Sequence, residues 1–331
     1  MSGAVVQGLR VRARTAVHGA DPECDCGHVG DVLARRDDGV VVRHGDVVAK
    51  AHADGSDPEE LAARIAVAGH PALADVLLPP LAPGTTEHIA APAAKLAGRP
   101  VSLWPYGVPV DPDAPERAPW EAAGALLARL HRVDVSRLPG PLPAMRGPTK
   151  AALAVHRMRT GAGGGPGLPW PLPAGPAAAA VAAVERAWRT LPPWARGEAP
   201  APGPPALCHG DLHLGQLVRA PDGPWRLIDV DDLGAGPAVW DLARPAAWYA
   251  CGLLGPDEWS RFLGAYRAGE GPAVPAGGDP WPALDVAARA LTVQTAALAI
   301  TRSLREGRPP DGDEWAVISA CDRMGGAPPA E

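Results

Sequence analysis

The sequence predicts an α+β chain, with an antiparallel sheet near its N-terminal end and helices over most of the remainder. Three observations carry this. Residues 31–53 hold three short runs rich in valine and alanine, separated by hairpin-type turn signals. From Pro119 onward, apolar residues recur at helical spacing in several segments. Between those helices, residues 206–229 read as a strand, a polar loop and a second strand.

Residues 1–30 read as an N-terminal extension. Strands are expected at 32–35, 40–43 and 47–51, broken by Asp38-Gly39 and His44-Gly45. A helix over 58–68 follows, with Asp57 as N-cap, Pro58 at the first helical position and Gly69 as the stop. Residues 77–81 and 87–90 are expected to continue the sheet. Residues 100–112 read as a turn-rich connector, and the domain boundary is placed there, between 105 and 106. Residues 119–133 form a helix with Leu126, Leu127 and Leu130 on one face. The Pro/Gly-rich stretches 139–148 and 161–176 read as loops. An alanine-rich helix spans 176–190, a proline-rich connector spans 192–205, and helices lie near 239–251, 256–268 and 283–305. No internal repeat is present.

Composition narrows the class. The 331 residues suffice for two units, each with its own core. With 47% hydrophobic residues and a net charge of −6, the chain suits a soluble globular protein. That acidic balance, with only three lysines (Lys50, Lys95 and Lys150), argues against nucleic acid as the main partner. The N-terminus lacks a basic-then-apolar export pattern. The most apolar later stretch, 290–300, is too short to span a bilayer and contains Gln294, so no membrane partner is expected. Five cysteines, an odd number, do not make a disulfide framework for a chain of this size, and a reducing cytoplasm is the expected location. Cys24, Cys26 and His28 offer soft ligands. Zinc sites usually show four ligands at wider paired spacing, so a loop is the preferred reading.

The stretch Leu207-Cys208-His209-Gly210-Asp211 carries the chemistry. Gln216 follows five positions after Asp211, and Asp229 eighteen positions after it. Phosphoryl transfer from a nucleotide needs this inventory: a base for the acceptor hydroxyl and oxygen ligands for magnesium. Asp211 is the candidate base, the alternative being a solvated loop aspartate. Gln216 and Asp229 are the candidate magnesium ligands, because a hard cation prefers a carboxylate and an amide carbonyl. The alternatives are a glutamine bonded to backbone and a strand-end turn former. Asp231 and Asp232 follow closely and read more readily as solvated turn residues than as further ligands.

Residues 206–249 resemble the aminoglycoside phosphotransferase and choline kinase group of small-molecule kinases. The matching residues are His209-Gly210-Asp211, Ile228-Asp229, Gly234-Ala235-Gly236, which reads as a Gly-rich turn, and Asp241-Leu242-Ala243. Two positions depart: the family's Asn is Gln216, and its Gly-Asp-Pro turn reads Gly236-Pro237-Ala238. The run His213-Leu214-Gly215-Gln216 is also similar to bacterial maltokinases.

The resemblance implies a protein-kinase-like two-lobe fold, with an antiparallel-sheet N-lobe over 31–105 and a mainly helical C-lobe over 106–331. It implies ATP and Mg2+ as cofactors. The partner it implies is a small-molecule hydroxyl acceptor, such as an aminoglycoside or other antibiotic, a sugar or an amino alcohol. It places Lys50, in a run similar to the kinase V-A-x-K strand, on the phosphates, with Glu60 (or, second, Glu59) as its helix partner. Leu103 and Trp104 open the candidate adenine hinge, 103–106. Asp241 and His209 are expected to brace the catalytic loop. The rival reading is a nucleotide-binding pseudokinase with a regulatory or scaffolding role, kept open by Gln216 and Pro237. A protein kinase is disfavoured, since HGD replaces H-R-D and no D-F-G or A-P-E occurs.

Overall fold

The computed structural model of the chain describes residues 2–19, 30–36, 39–81, 95–161, 175–220 and 223–326. The backbone forms two compact units. One comprises Met1–Ala118, Asp134–Pro143 and Leu214–Asp231; the other comprises Pro119–Val133, Ala144–His213 and Asp232–Glu331. This differs from a single cut after residue 105. Residues 214–231, which carry Gln216 and Asp229, fall in the same unit as the N-terminal sheet.

In the first unit, α1 (Ser2–His18) covers a four-stranded antiparallel sheet ordered β1 (Asp31–Arg36), β2 (Gly39–His44), β3 (Val47–Ala51) and β4 (Val101–Pro105). Residues 1–30, expected as an extension, thus include a structural helix. Val5, Val6, Leu9 and Ala13 fall on one stripe of α1 and pack on Val40, Val42, Val47, Ala49 and Ala51. Arg10 and Arg14 lie outside that stripe and interrupt its sequence signal.

The period-2 pleat then divides the sheet residues. Val101 and Leu103 join the core beneath α1. Lys50, paired in register with Ser102, and Val48, paired with Trp104, occupy the other face.

The fourth strand lies inside the expected connector. Pro105 is tolerated because β4 is an edge strand and Pro105 is its last residue. Residues 77–81 do not form a strand. Leu77 makes one parallel bridge to Leu227, and Leu81 N–H donates to the Leu103 carbonyl at 3.0 Å. The expected strand at 87–90 lies outside the described residues.

Helix α2 (Pro58–Ala68) begins as expected, with the Asp57 carboxylate accepting from Glu59 N at 2.8 Å and Glu60 N at 3.2 Å. A second antiparallel sheet joins β5 (Val108–Pro109), β7 (Leu217–Arg219) and β8 (Trp225–Leu227).

The second unit is helical: α3 (Trp120–His131), α4 (Gly147–Thr160), α5 (Pro176–Thr190), α6 (Val239–Ala250), α7 (Pro256–Ala268), α8 (Trp281–Glu306) and α9 (Gly312–Met324). One short antiparallel pair, β6 (Ala206–Cys208) with β9 (Gly234–Gly236), carries the loops of interest. Residues 234–236, expected as a Gly-rich turn, are therefore a strand. A Cβ on Gly236 would meet Met145 Cε at 2.8 Å, a flexible side-chain end that must shift to admit it.

Helix α8 packs against α4, α5, α6 and α9. Its length and composition would also pass for a membrane span, but 67% of its most apolar window is buried, as in a core helix. Helices α3 and α7 approach closely at Gly124, whose absent Cβ would lie 2.2 Å from the Phe262 carbonyl oxygen.

Candidate active site

Strand β6 delivers His209, Gly210 and Asp211, and a buried carboxylate fixes the turn they make. Asp241, in the first turn of α6, accepts from His209 N at 2.6 Å, from Gly210 N at 2.7 Å and from His131 Nε2 at 3.0 Å. The His131 Nδ1 atom meets the Tyr266 hydroxyl at 2.8 Å, and that hydroxyl accepts from Ala273 N at 3.0 Å. The brace expected of Asp241 thus runs on through α3 into α7. His131, at the end of α3, had no sequence signal. Gly210 has φ +85°, and a side chain there would meet the Asp232 carbonyl oxygen at 2.4 Å, so this turn requires glycine.

Asp211 ends the turn with both oxygens paired: Oδ2 to Lys150 Nζ at 2.8 Å and Oδ1 to Arg244 at 2.5 Å. Burial alone would raise its pKa, but Lys150 and Arg244 hold it well below the usual carboxylate range. Its side chain keeps 21% of its surface exposed, so a hydroxyl can reach it.

Lys150 also meets Asp232 Oδ2 at 2.7 Å. Burial would lower the lysine's pKa, yet Asp232 and Asp211 push it up to about 12. For Asp232, burial wins: its pKa lies above the ordinary value although Lys150 opposes the rise. Asp232 is therefore a buried group and not the solvated turn residue expected from the sequence.

A similar arrangement occurs in the first unit. Lys50 Nζ lies 2.6 Å from Asp229 Oδ1 and 3.0 Å from Asp231 Oδ2. Burial would lower its pKa, but the two carboxylates raise it. Asp231 is held low in turn: Lys50 and His52 overcome its burial. Behind it, His52 meets Asp231 Oδ1 at 2.8 Å through Nδ1 and Ser102 Oγ at 2.7 Å through Nε2. The Trp104 indole N–H, a donor only, gives its hydrogen to the same Ser102 Oγ at 2.7 Å. The serine hydroxyl is then available to donate to Nε2, which puts the one imidazole N–H on Nδ1, where it donates to Asp231. Asp231, like Asp232, is thus engaged and not solvated.

Asp229 has φ +65°, a left-handed conformation that aspartate adopts more readily than most residues but still at some cost. Gln216 is buried, and its amide lies 3.5 Å from Asp229 Oδ2. A carboxylate and an amide in contact form an oxygen-donor set suited to a hard divalent cation once the amide is turned. Asp229 remains 37% exposed on its side chain, which leaves it open to such a cation.

One expected pairing is corrected, and the two hinge candidates are placed. Glu60 is not the partner of Lys50: it pairs at 3.0 Å with Arg64, one helical turn on, while Asp229 and Asp231 occupy the lysine. Leu103 lies on the sheet face under α1, opposite Lys50, with its carbonyl already taken by Leu81. Trp104 does lie on the face of Lys50, but it is buried and its indole N–H is committed to Ser102.

Cys24, Cys26 and His28 lie outside the described residues. Among the described residues, His131, Cys208 and Asp241 come within metal-binding distance of one another. Burial, then Asp241, pushes the Cys208 thiol well up, and both Asp241 oxygens already accept hydrogen bonds, so this group serves as the loop brace.

A model of the phosphotransferase enzyme family matches residues 31–281. The chain belongs to the phosphotransferase enzyme family. Among solved structures, this phosphotransferase is similar to a choline/ethanolamine kinase family protein from Mesorhizobium loti, at 15% identity and TM-score 0.55, covering 98% of this chain and 96% of that one. It is also similar to spectinomycin phosphotransferase solved with ADP and spectinomycin, at 14% identity and TM-score 0.55, covering 89% and 94%. A third likeness is to a choline kinase from Streptococcus pneumoniae, at 11% identity and TM-score 0.52, covering 89% and 92%. No curated protein matches the chain significantly by sequence. The likenesses establish the kinase-like α+β fold, and family membership makes the chain a phosphotransferase.

Proposed function

We propose that this phosphotransferase moves the γ-phosphoryl group of ATP, used with Mg2+, onto a hydroxyl group of a small polar molecule. The observation that carries the reading is Asp211: a reachable, ionised carboxylate on a turn held by a buried aspartate. Such a group accepts a hydrogen bond from an alcohol and aligns its oxygen for in-line attack. Phosphoryl transfer through a loose transition state asks for positioning more than for a strong base. That demand suits a carboxylate whose basicity two cations have lowered.

In the first unit, Lys50 supplies a fixed positive charge for phosphate oxygens, and Asp231 with His52 holds the lysine in place. Gln216 and Asp229 would hold magnesium, which when bound supplies charge neutralisation at the phosphates. Gln216 departs from the family Asn yet still carries a carbonyl oxygen, so the departure does not favour a pseudokinase. Neighbours of this fold are named for choline, ethanolamine and spectinomycin, and these define the first acceptors to try, with sugars beside them. The described cysteines are free thiols, which suits the reducing cytoplasm in which we place the protein.

The test is a panel of amino alcohols, sugars and antibiotics incubated with ATP and magnesium, with phosphorylated product detected by mass. Asp211→Asn is expected to lose transfer by about 10²–10⁴-fold while ATP affinity stays within a few-fold. A panel without product, together with no magnesium-dependent binding of ATP, overturns the reading.

A further inference from the structure

We propose that Lys150 is a positioning residue for phosphoryl transfer: it fixes the Asp211 carboxylate, and Asp232 is the counter-charge that fixes Lys150. The proposal rests on the reading that Asp211 meets the acceptor hydroxyl. Lys150 stands 61 residues before Asp211, outside the motif that the sequence displays.

The chain brings it there by design of the backbone. Met145 N donates to Ala235 O at 3.0 Å, and Arg146 N donates to Asp232 O at 3.2 Å, which straps the start of α4 to the segment around β9. Gly147 lets α4 start hard against Trp240, whose indole nitrogen would lie 2.0 Å from a Cβ at that position. Lys150 N then donates to Arg146 O at 2.9 Å, placing the lysine in the first turn of the helix. Its ammonium sits between Asp211 and Asp232 at 2.8 and 2.7 Å. A compact cation with three donors suits two converging carboxylates better than a planar guanidinium does. In a chain with only three lysines among 31 basic residues, two of them, Lys50 and Lys150, occupy such a place.

The charges facing Asp211 are Lys150 from α4, Arg244 from α6 and His213 from its own loop. Asp232 lies behind Lys150, with Arg146 3.8 Å from it. With Lys150 on one oxygen and Arg244 on the other, the carboxylate is fixed in rotation and stays ionised. Without Lys150, one oxygen is released, and the buried Asp232 loses its main partner and must take up a proton or destabilise the unit.

A single Lys150→Met change therefore mixes two effects, and Asp232→Asn separates them. The double variant Lys150→Met/Asp232→Asn removes one charge of each sign and is expected to regain most of the stability lost in the single variant. Its turnover is expected to stay about 10²-fold below wild type with little change in KM for ATP, as for a misplaced catalytic group. Its acid limb is expected to move to higher pH, and Lys150→Arg is expected to recover part of the rate. If the double variant folds and turns over at the wild-type rate with the wild-type acid limb, Lys150 serves only Asp232 and the proposal fails.

A second readout does not need an acceptor. Carbon-13 carboxyl spectra, with Asp211→Asn for assignment, should show Asp211 ionised to lower pH in the wild type than in the double variant. Equal titration overturns the proposal even if transfer is never observed. A wild-type protein without transfer, or an active Asp211→Asn, counts instead against the reading of Asp211.

Discussion

Replacing Asp241 by asparagine tests the loop brace with the smallest change of shape. The aspartate accepts three hydrogen bonds on two oxygens: Gly210 N on Oδ1, and His209 N with His131 Nε2 on Oδ2. Asparagine keeps one acceptor oxygen and places an NH2 group where the other stood. With the oxygen facing Gly210, two donors confront a donor; with it facing His209 and His131, one does. Hydrogen bonds to a charged group contribute about 1.5–3 kcal/mol each, and the surviving bonds become neutral ones. The amide settles in the second orientation, so the one lost bond predicts destabilisation of about 1.5–3 kcal/mol, with the weakening of the two surviving bonds added to it. That is a large share of the roughly 5–15 kcal/mol by which a domain is stable. The assay is urea unfolding followed by tryptophan fluorescence, together with amide exchange at His209 and Gly210, which should accelerate most. His131→Phe should cost less, and in the double variant the two losses should fall short of their sum, because both act through one carboxylate. A change below about 1 kcal/mol in Asp241→Asn, with protected amides at 209 and 210, would refute the brace.

Three further outcomes follow from the geometry. Gln216→Asn should keep measurable magnesium-dependent activity, whereas Gln216→Leu should need more magnesium; a folded Leu variant with wild-type magnesium dependence removes Gln216 from the metal site. Gly124→Ala gains about 1 kcal/mol by helix propensity alone, but its Cβ meets the Phe262 carbonyl at 2.2 Å, so a lower melting temperature is expected, and a higher one would show that α3 and α7 separate at little cost. Glu314 is held down to about 2 by hydrogen bonds from Arg308, against the effect of burial, from an ordinary value of 4.5. Its folded pKa is depressed, so its contribution to stability is complete above pH 4.5 and fades as pH falls towards 2. The urea-midpoint gap between wild type and Glu314→Gln should shrink over that window; a constant gap contradicts the pairing.

Short-range patterns were readable without coordinates. Asp57-Pro58 announces the start of α2 because a cap and a proline act within one turn. The extended run Val47-Val48-Ala49-Lys50-Ala51 places Lys50 and Val48 on one face of a strand because the pleat repeats every two residues. Helix α1 escaped because arginines stand beside its narrow apolar stripe, and β4 because Pro100 precedes it and Pro105 ends it.

The partners of the charged residues were of another kind. Asp231 and Asp232 are neighbours in sequence, yet one pairs with Lys50 in the first unit and the other with Lys150 in the second. Glu60 lies in the helix that follows Lys50, yet it serves Arg64. A buried charge must find a counter-charge within a few ångströms, and that distance is set by strand pairing and helix packing. Separation along the chain carries no information about it. Asp211, Gln216, Asp229 and Lys50 could be read from the sequence as candidates; which carboxylate faces which lysine was settled by the fold.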